Sequence, residues 1–128
     1  MKSHLKGLTK TQIANLHKLA MYLMDEKNLK AGFDMSFYSN DGESCGTIGC
    51  AVGHGPYADI KKWRYEMFPH YRDRAFGIFF GSPSYKYLFT SRWNKYDNTA
   101  KGAARRIIRF LSSGVPEGFK EPSKEYVL

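Results

Sequence analysis

Cys45, Cys50 and His54 stand close together in the stretch Gly42-Glu43-Ser44-Cys45-Gly46-Thr47-Ile48-Gly49-Cys50-Ala51-Val52-Gly53-His54-Gly55-Pro56, which also holds five of the twelve glycines. A thiolate is a nucleophile, imidazole is its common base, and both are zinc ligands. A nucleophilic reading makes Cys45 the attacking group beside a helix start, with His54 or His70 as base. It lacks the downstream His and Asn context of cysteine proteases, and Cys50, among Ile48, Ala51 and Val52, reads as packing. No catalytic residue is therefore expected, and an enzyme using Cys45 and His54 is the minor alternative. A zinc reading would join Cys45, Cys50 and His54 to His17 or His70, but no second Cys pair exists, so neither metal nor other cofactor is expected.

An anion reading rests on backbone instead of side chains. Thr47 can cap a short helix from about Ile48, Gly55-Pro56 ends it, and glycines let a ligand approach free N–H groups. The ligand would be a phosphate-bearing small molecule, a nucleotide or cyclic nucleotide, held by Cys45, Gly46, Thr47, Ile48 and His54 with Arg105 and Arg109 completing the charge. Neither GxxxxGK[ST] nor GxGxxG is present, and Gly49, Ala51 and Gly53 serve close packing equally well.

A second surface mixes cations with rings. Lys61-Lys62-Trp63-Arg64-Tyr65 and Tyr71-Arg72-Asp73-Arg74 are its densest parts, and Tyr85-Lys86-Tyr87 and Arg92-Trp93 repeat the pattern. Cations neutralise phosphates and rings stack on bases, so Lys61, Lys62, Trp63, Arg64, Arg72 and Arg74 form the nucleic-acid alternative, with protein interaction as its variant. No helix-turn-helix, zinc-finger or RNP motif accompanies them.

Composition sets the frame. Twenty Lys and Arg against twelve Asp and Glu give +8, which favours an acidic partner, and 16% aromatic residues is a high supply. At 128 residues one domain is expected, 1-114, with residues 115-128 as a loosely attached tail. No apolar run suggests a secretory signal or a membrane span, so a cytoplasmic protein with no membrane partner is expected, and a homo-oligomer is compatible with it.

The elements follow from caps and periodicity. Thr9 and Gln12 form a capping box before Ile13, Leu16, Ala20 and Leu23, predicting a helix to about Lys27 with His17 beside its apolar stripe. Residues 33–39 alternate as a short strand with Phe33, Met35 and Phe37 inward. Tyr57 to Phe68 reads as a helix with Ala58, Ile60, Trp63 and Met67 inward and Pro69 closing it, after which residues 75–80 enter the core. Pro83 to Phe89 is a short helix, and residues 92–97 a polar aromatic loop. Asn98 or Thr99 caps a last helix that buries Ala100, Ala103, Ala104, Ile107, Ile108 and Leu111, exposes Lys101, Arg105, Arg106 and Arg109, and ends at Ser113 before Gly114. The fold class is mainly α, three to five helices in one small domain; an α+β alternative adds a short two-stranded element. Its expected core is Leu16, Ala20, Leu23, Phe33, Ile48, Val52, Ile78, Leu88, Ile107 and Leu111.

Cys45-Gly46-Thr47-Ile48-Gly49-Cys50-Ala51-Val52-Gly53-His54 resembles the CGTxxCAxGHA signature of small uncharacterised phage and bacterial proteins. Phe33-Asp34-Met35, Phe79-Phe80-Gly81, Tyr87-Leu88-Phe89 and the Ala- and Arg-rich final helix are similar to that family, whereas residues 57–75 are more basic and aromatic. The family carries no settled activity. The resemblance implies a non-enzymatic phage-type accessory protein, working in the host cytoplasm if phage-encoded, for which antagonism of host defence is conceivable.

Overall fold

The computed structural model describes residues 3–25, 27, 29, 32, 33, 35 and 50–127. They form a mainly helical structure with four α-helices, several 3-10 turns and no strand among the described residues. α1 spans Lys10–Met24, α2 Phe68–Phe76, α3 Pro83–Leu88 and α4 Ala100–Ser113.

The central contact is α1 against α4, and α2 also packs on α1. Leu16, Leu19, Ala20 and Leu23 recur at helical spacing and are all fully buried on α1. Thr9 and Gln12 make the expected reciprocal cap. The helix stops at Met24, short of Lys27, because Asp25 turns to an extended conformation. His17 is exposed, not at the edge of the core.

α4 starts on Thr99, whose hydroxyl accepts the Gly102 N–H, and ends on Gly114 at φ 83°. Its buried face differs from the expected one. Ala100, Ala103, Ala104, Ile107 and Phe110 turn inward with Arg106, while Ile108 is exposed and Leu111 half-buried. Arg106 is inside because its guanidinium lies 4.0 Å from the centre of the Trp93 ring and its Nη1 donates to the Asp97 carbonyl at 3.3 Å. Trp93 itself is buried in a 3-10 turn, Ser91–Lys95, and donates its ring N–H to the Tyr87 carbonyl. The segment expected to be a polar loop therefore anchors the core.

The largest correction concerns residues 57–68. Only a 3-10 turn, Pro56–Ala58, forms there, ended by Asp59 in the left-handed region, and 60–67 is non-helical. Ile60 is buried, but Trp63 and Met67 are exposed. Pro69 opens α2 instead of closing a helix before it, since a missing N–H costs nothing in a helix's first turn. Tyr71, Ala75 and Phe76 face the core, and Gly77 at φ 68° caps the end. Ile78 is buried as expected; Phe79 and Phe80 are exposed.

Residues 115–127, read from sequence as a loose tail, bring Phe119 parallel to Trp93 and edge-on to Tyr87 and Tyr126. Arg92 pairs with Glu121 at 2.8 Å. Of the expected core, Leu16, Ala20, Leu23, Val52, Ile78, Leu88 and Ile107 are buried, Phe33 and Leu111 are half-buried, and Ile48 lies outside the described residues. Most of the strand expected over 33–39 is also outside them, although Met35 is buried and donates its N–H to Asn98 Oδ1 at 2.6 Å.

Candidate nucleic-acid interface

Exposed rings concentrate around one loop. Trp63 is 55% exposed and Tyr65 84% exposed, on a turn closed by the Glu66 N–H donating to the Trp63 carbonyl. Single exposed apolar residues are ordinary, but large rings exposed side by side form the kind of patch that marks an interaction site.

Arg74 holds this turn in place. It projects from α2, donates Nε to Glu66 Oε2 at 2.6 Å and Nη2 to Glu66 Oε1 at 2.8 Å, and its second contact from Nη2 is the Lys61 carbonyl at 2.8 Å. Glu66 in turn accepts the Trp63 N–H. The guanidinium plane is left to support Trp63, whose ring centre is 4.2 Å away. Hydrogen bonding to Arg74 holds the Glu66 carboxyl below the usual carboxylate range, and the same bond raises Arg74 above its ordinary value. The pair is ionised at neutral pH and closed on itself.

Beneath the loop, Tyr71 donates its hydroxyl to the Ile60 carbonyl, and burial pushes its phenol up, so it stays a neutral donor. Gly55 is needed at this spot because a Cβ there would run into the Tyr71 ring. The packed loop and α2 border an open groove of about 730 Å³, edged by Trp63, Arg64, Tyr65, His70, Arg74 and Phe79.

Charge divides the cations into two sets. Arg74 is occupied by Glu66, and Arg72, expected on this surface, is 4% exposed: it donates to the Ile78 carbonyl at 2.9 Å, pairs with Asp73 and lies 5.1 Å from the Tyr85 ring centre. Lys61 and Arg64 are exposed and Lys62 half-buried, the last over the Phe68 ring. Of the cations expected on this surface, those three are the ones not bonded to a carboxylate among the described residues, with Trp63 and Tyr65 beside them. The mixture can neutralise phosphates and stack on bases.

No family model, no curated protein and no solved structure matches this chain. The functional reading rests on its own geometry.

The sequence-based anion site is only partly described. Cys45, Gly46, Thr47 and Ile48 lie outside the described residues. From Cys50 the chain makes no two-turn helix but a 3-10 turn, Val52–His54, followed by the one at Pro56. His54 is fully buried, donates from Nε2 to the Gly32 carbonyl at 3.0 Å, and packs beside the rings of Tyr22, Phe33 and Tyr57. The carbonyl fixes Nε2 as the donor, leaving Nδ1 without a hydrogen-bond partner among the described residues, and burial lowers the imidazole pKa. None of its hydrogen bonds or ring contacts is to Arg105 or Arg109, which are exposed on α4. Cys50 is buried. Among the described residues no cluster of three or more His, Cys, Asp or Glu could hold a metal ion, and no helix is long and apolar enough to cross a membrane.

Glu66 and Phe79 were missed in the sequence. A carboxylate among cations at Lys61-Lys62-Trp63-Arg64 is a signal of internal pairing; the exposure of Phe79 had none, since an apolar run ordinarily enters a core.

Proposed function

We propose that the chain is a non-enzymatic nucleic-acid-binding module that takes single strands on the surface built by 61–67 and α2. Trp63 carries the reading: its indole is half exposed while the ion pair of Arg74 with Glu66 fixes it from beneath. A base would stack on Trp63 or Tyr65, and Lys61, Lys62 and Arg64 would meet successive phosphates. Single strands suit the site better than duplexes because the rings stand on a loop in an open groove, and no described helix presents base-reading side chains from a helix-turn-helix.

The test is titration of a labelled mixed-sequence single-stranded oligonucleotide at several salt concentrations. Three phosphate contacts predict a log–log salt slope of about −2. Trp63→Ala should weaken binding about tenfold. Absence of salt-dependent binding at micromolar protein sinks the proposal, and preference for duplex over single strand sinks the stacking mode.

A further inference from the structure

On the far side of Phe79-Phe80 lies a second concavity. The turn is closed by the Ser82 N–H donating to the Phe79 carbonyl, with Gly81 at φ 81°. Phe79 edges the groove of Trp63 and Tyr65, and Phe80, 74% exposed, edges a cleft of about 420 Å³ between α3 and residues 120–122. The Phe80 ring lies 5.1 Å from that of Tyr85, making an aromatic wall. Lys86, Arg92 and Lys120 supply positive charge, and Glu121 is occupied by Arg92. Lys86 and Lys120 are exposed and have no carboxylate partner among the described residues.

The two concavities adjoin. Arg72 stands between them, bonded to Asp73 at the edge of the first and lying over Tyr85 at the edge of the second. The first offers the exposed rings of Trp63 and Tyr65 with Arg64, the second the exposed ring of Phe80 with Lys86 and Lys120, and the carboxylates among them, Glu66, Asp73 and Glu121, are each engaged by an arginine, which suits one polyanion bearing flat bases.

We infer that the Phe80–Lys120 cleft is a second subsite for the same single strand, which crosses the Phe79-Phe80 turn with its phosphates on Lys86 and Lys120 and a base against Phe80. This inference rests on the nucleic-acid reading above. It makes the binding track longer than the Trp63 groove alone and gives the two exposed phenylalanines a shared role as a divider between stacked bases.

Length dependence tests it. Oligonucleotides of about 4 and about 12 nucleotides, within the range of known single-strand site sizes, are titrated against the full chain and against variants at exposed positions. The longer should bind at least tenfold tighter than the shorter. Lys86→Ala with Lys120→Ala should reduce its salt slope by about 1.4, two phosphate contacts, and Phe80→Ala should cost about tenfold, while binding of the shorter at the Trp63 groove is unchanged. Trp63→Ala should weaken both. If the longer gains only the statistical factor of its extra registers, or if the cleft variants leave its affinity and slope unchanged, the second subsite is refuted while Trp63-dependent binding stands. If neither length binds the unaltered protein, the nucleic-acid reading fails and this inference with it.

Discussion

Arg74 lies with its guanidinium 4.2 Å from the centre of the Trp63 ring while both its Nε and Nη2 are held by the Glu66 carboxylate. A cation so engaged supports the ring instead of meeting a ligand phosphate. Arg74→Lys separates the two roles. Lysine keeps the charge but loses the planar face and the two-point bond. A positioning role predicts about 1 kcal/mol weaker oligonucleotide binding with an unchanged salt slope. A shallower slope would make Arg74 a phosphate contact. The same variant should lower stability by about 1–2 kcal/mol, read as a urea midpoint shift at constant m.

Burial of His54 makes stability depend on pH in a defined direction. Its folded pKa is lowered by desolvation against the ordinary 6.5, so below that pH the unfolded chain binds more protons at this residue than the folded one. Its contribution is complete above the unfolded pKa and declines as pH falls through about 6.5 and on toward the folded value. A proton added at Nδ1 would find no acceptor among the described residues. Thermal unfolding from about pH 7 to about pH 5 should show a falling midpoint, and His54→Phe should flatten that fall while costing about 1 kcal/mol at neutral pH for the lost bond to Gly32. Glu66 acts lower: with its folded pKa below 4.5, its contribution is lost only as pH falls from 4.5 through that lower value. An unchanged decline between pH 7 and 5 in His54→Phe would assign the effect elsewhere.

Capping chemistry was legible because it is local: Thr9 with Gln12, Thr99 before Ala100, and Gly114 after Ser113 act as the sequence indicates. The exposed Trp63 and the buried Arg106 were not, because each is decided by a partner distant in sequence or by a competing ring. Arg106 fits an exposed stripe with Arg105 and Arg109 until Trp93 offers a face for its guanidinium, and the face of α4 that carries it inward leaves the apolar Ile108 exposed. Pro69 is ambiguous in sequence, being able to end one helix or begin another; it stands in the first turn of α2, where its missing N–H leaves no helical hydrogen bond unmade. The surface 61–64 was legible as basic and aromatic, whereas the division of its arginines into free and engaged cations required Glu66 and Asp73 in place.

Arg106 is the costliest cation to disturb. Its side chain is 1% exposed, stacked on Trp93 and 3.7 Å from Asp97 Oδ2. Asp97→Asn removes a carboxylate 3.7 Å from this buried guanidinium and should lower stability by up to about 3–5 kcal/mol. Replacement of Arg106 by methionine removes the charge and keeps a flexible stem, and should cost less than Asp97→Asn by urea denaturation. The reverse order would mean that Trp93, not Asp97, provides most of the stabilisation.

Gly102 gives a prediction opposite in sign to the ordinary rule. Alanine in a helix interior is favoured over glycine by about 1 kcal/mol, so a stabilising effect is the default expectation for Gly102→Ala. Here a Cβ would fall directly onto the Asp97 carboxylate. That carboxylate has little freedom to withdraw, because Asp97 sits at φ 50°, accepts the Thr99 hydroxyl at 2.9 Å and faces Arg106. Relief would require either breaking the Thr99 contact or moving α4 away from the turn before it. Overpacking of this kind costs about 1–3 kcal/mol, enough to cancel or exceed the gain in helix propensity. Gly102→Ala should therefore lower the melting temperature, and pairing it with Asp97→Ala should remove the clash, so that alanine at 102 becomes favourable in that background. A higher melting temperature for Gly102→Ala alone would mean that Asp97 yields, and that the Asp97–Arg106 contact is softer than its geometry indicates.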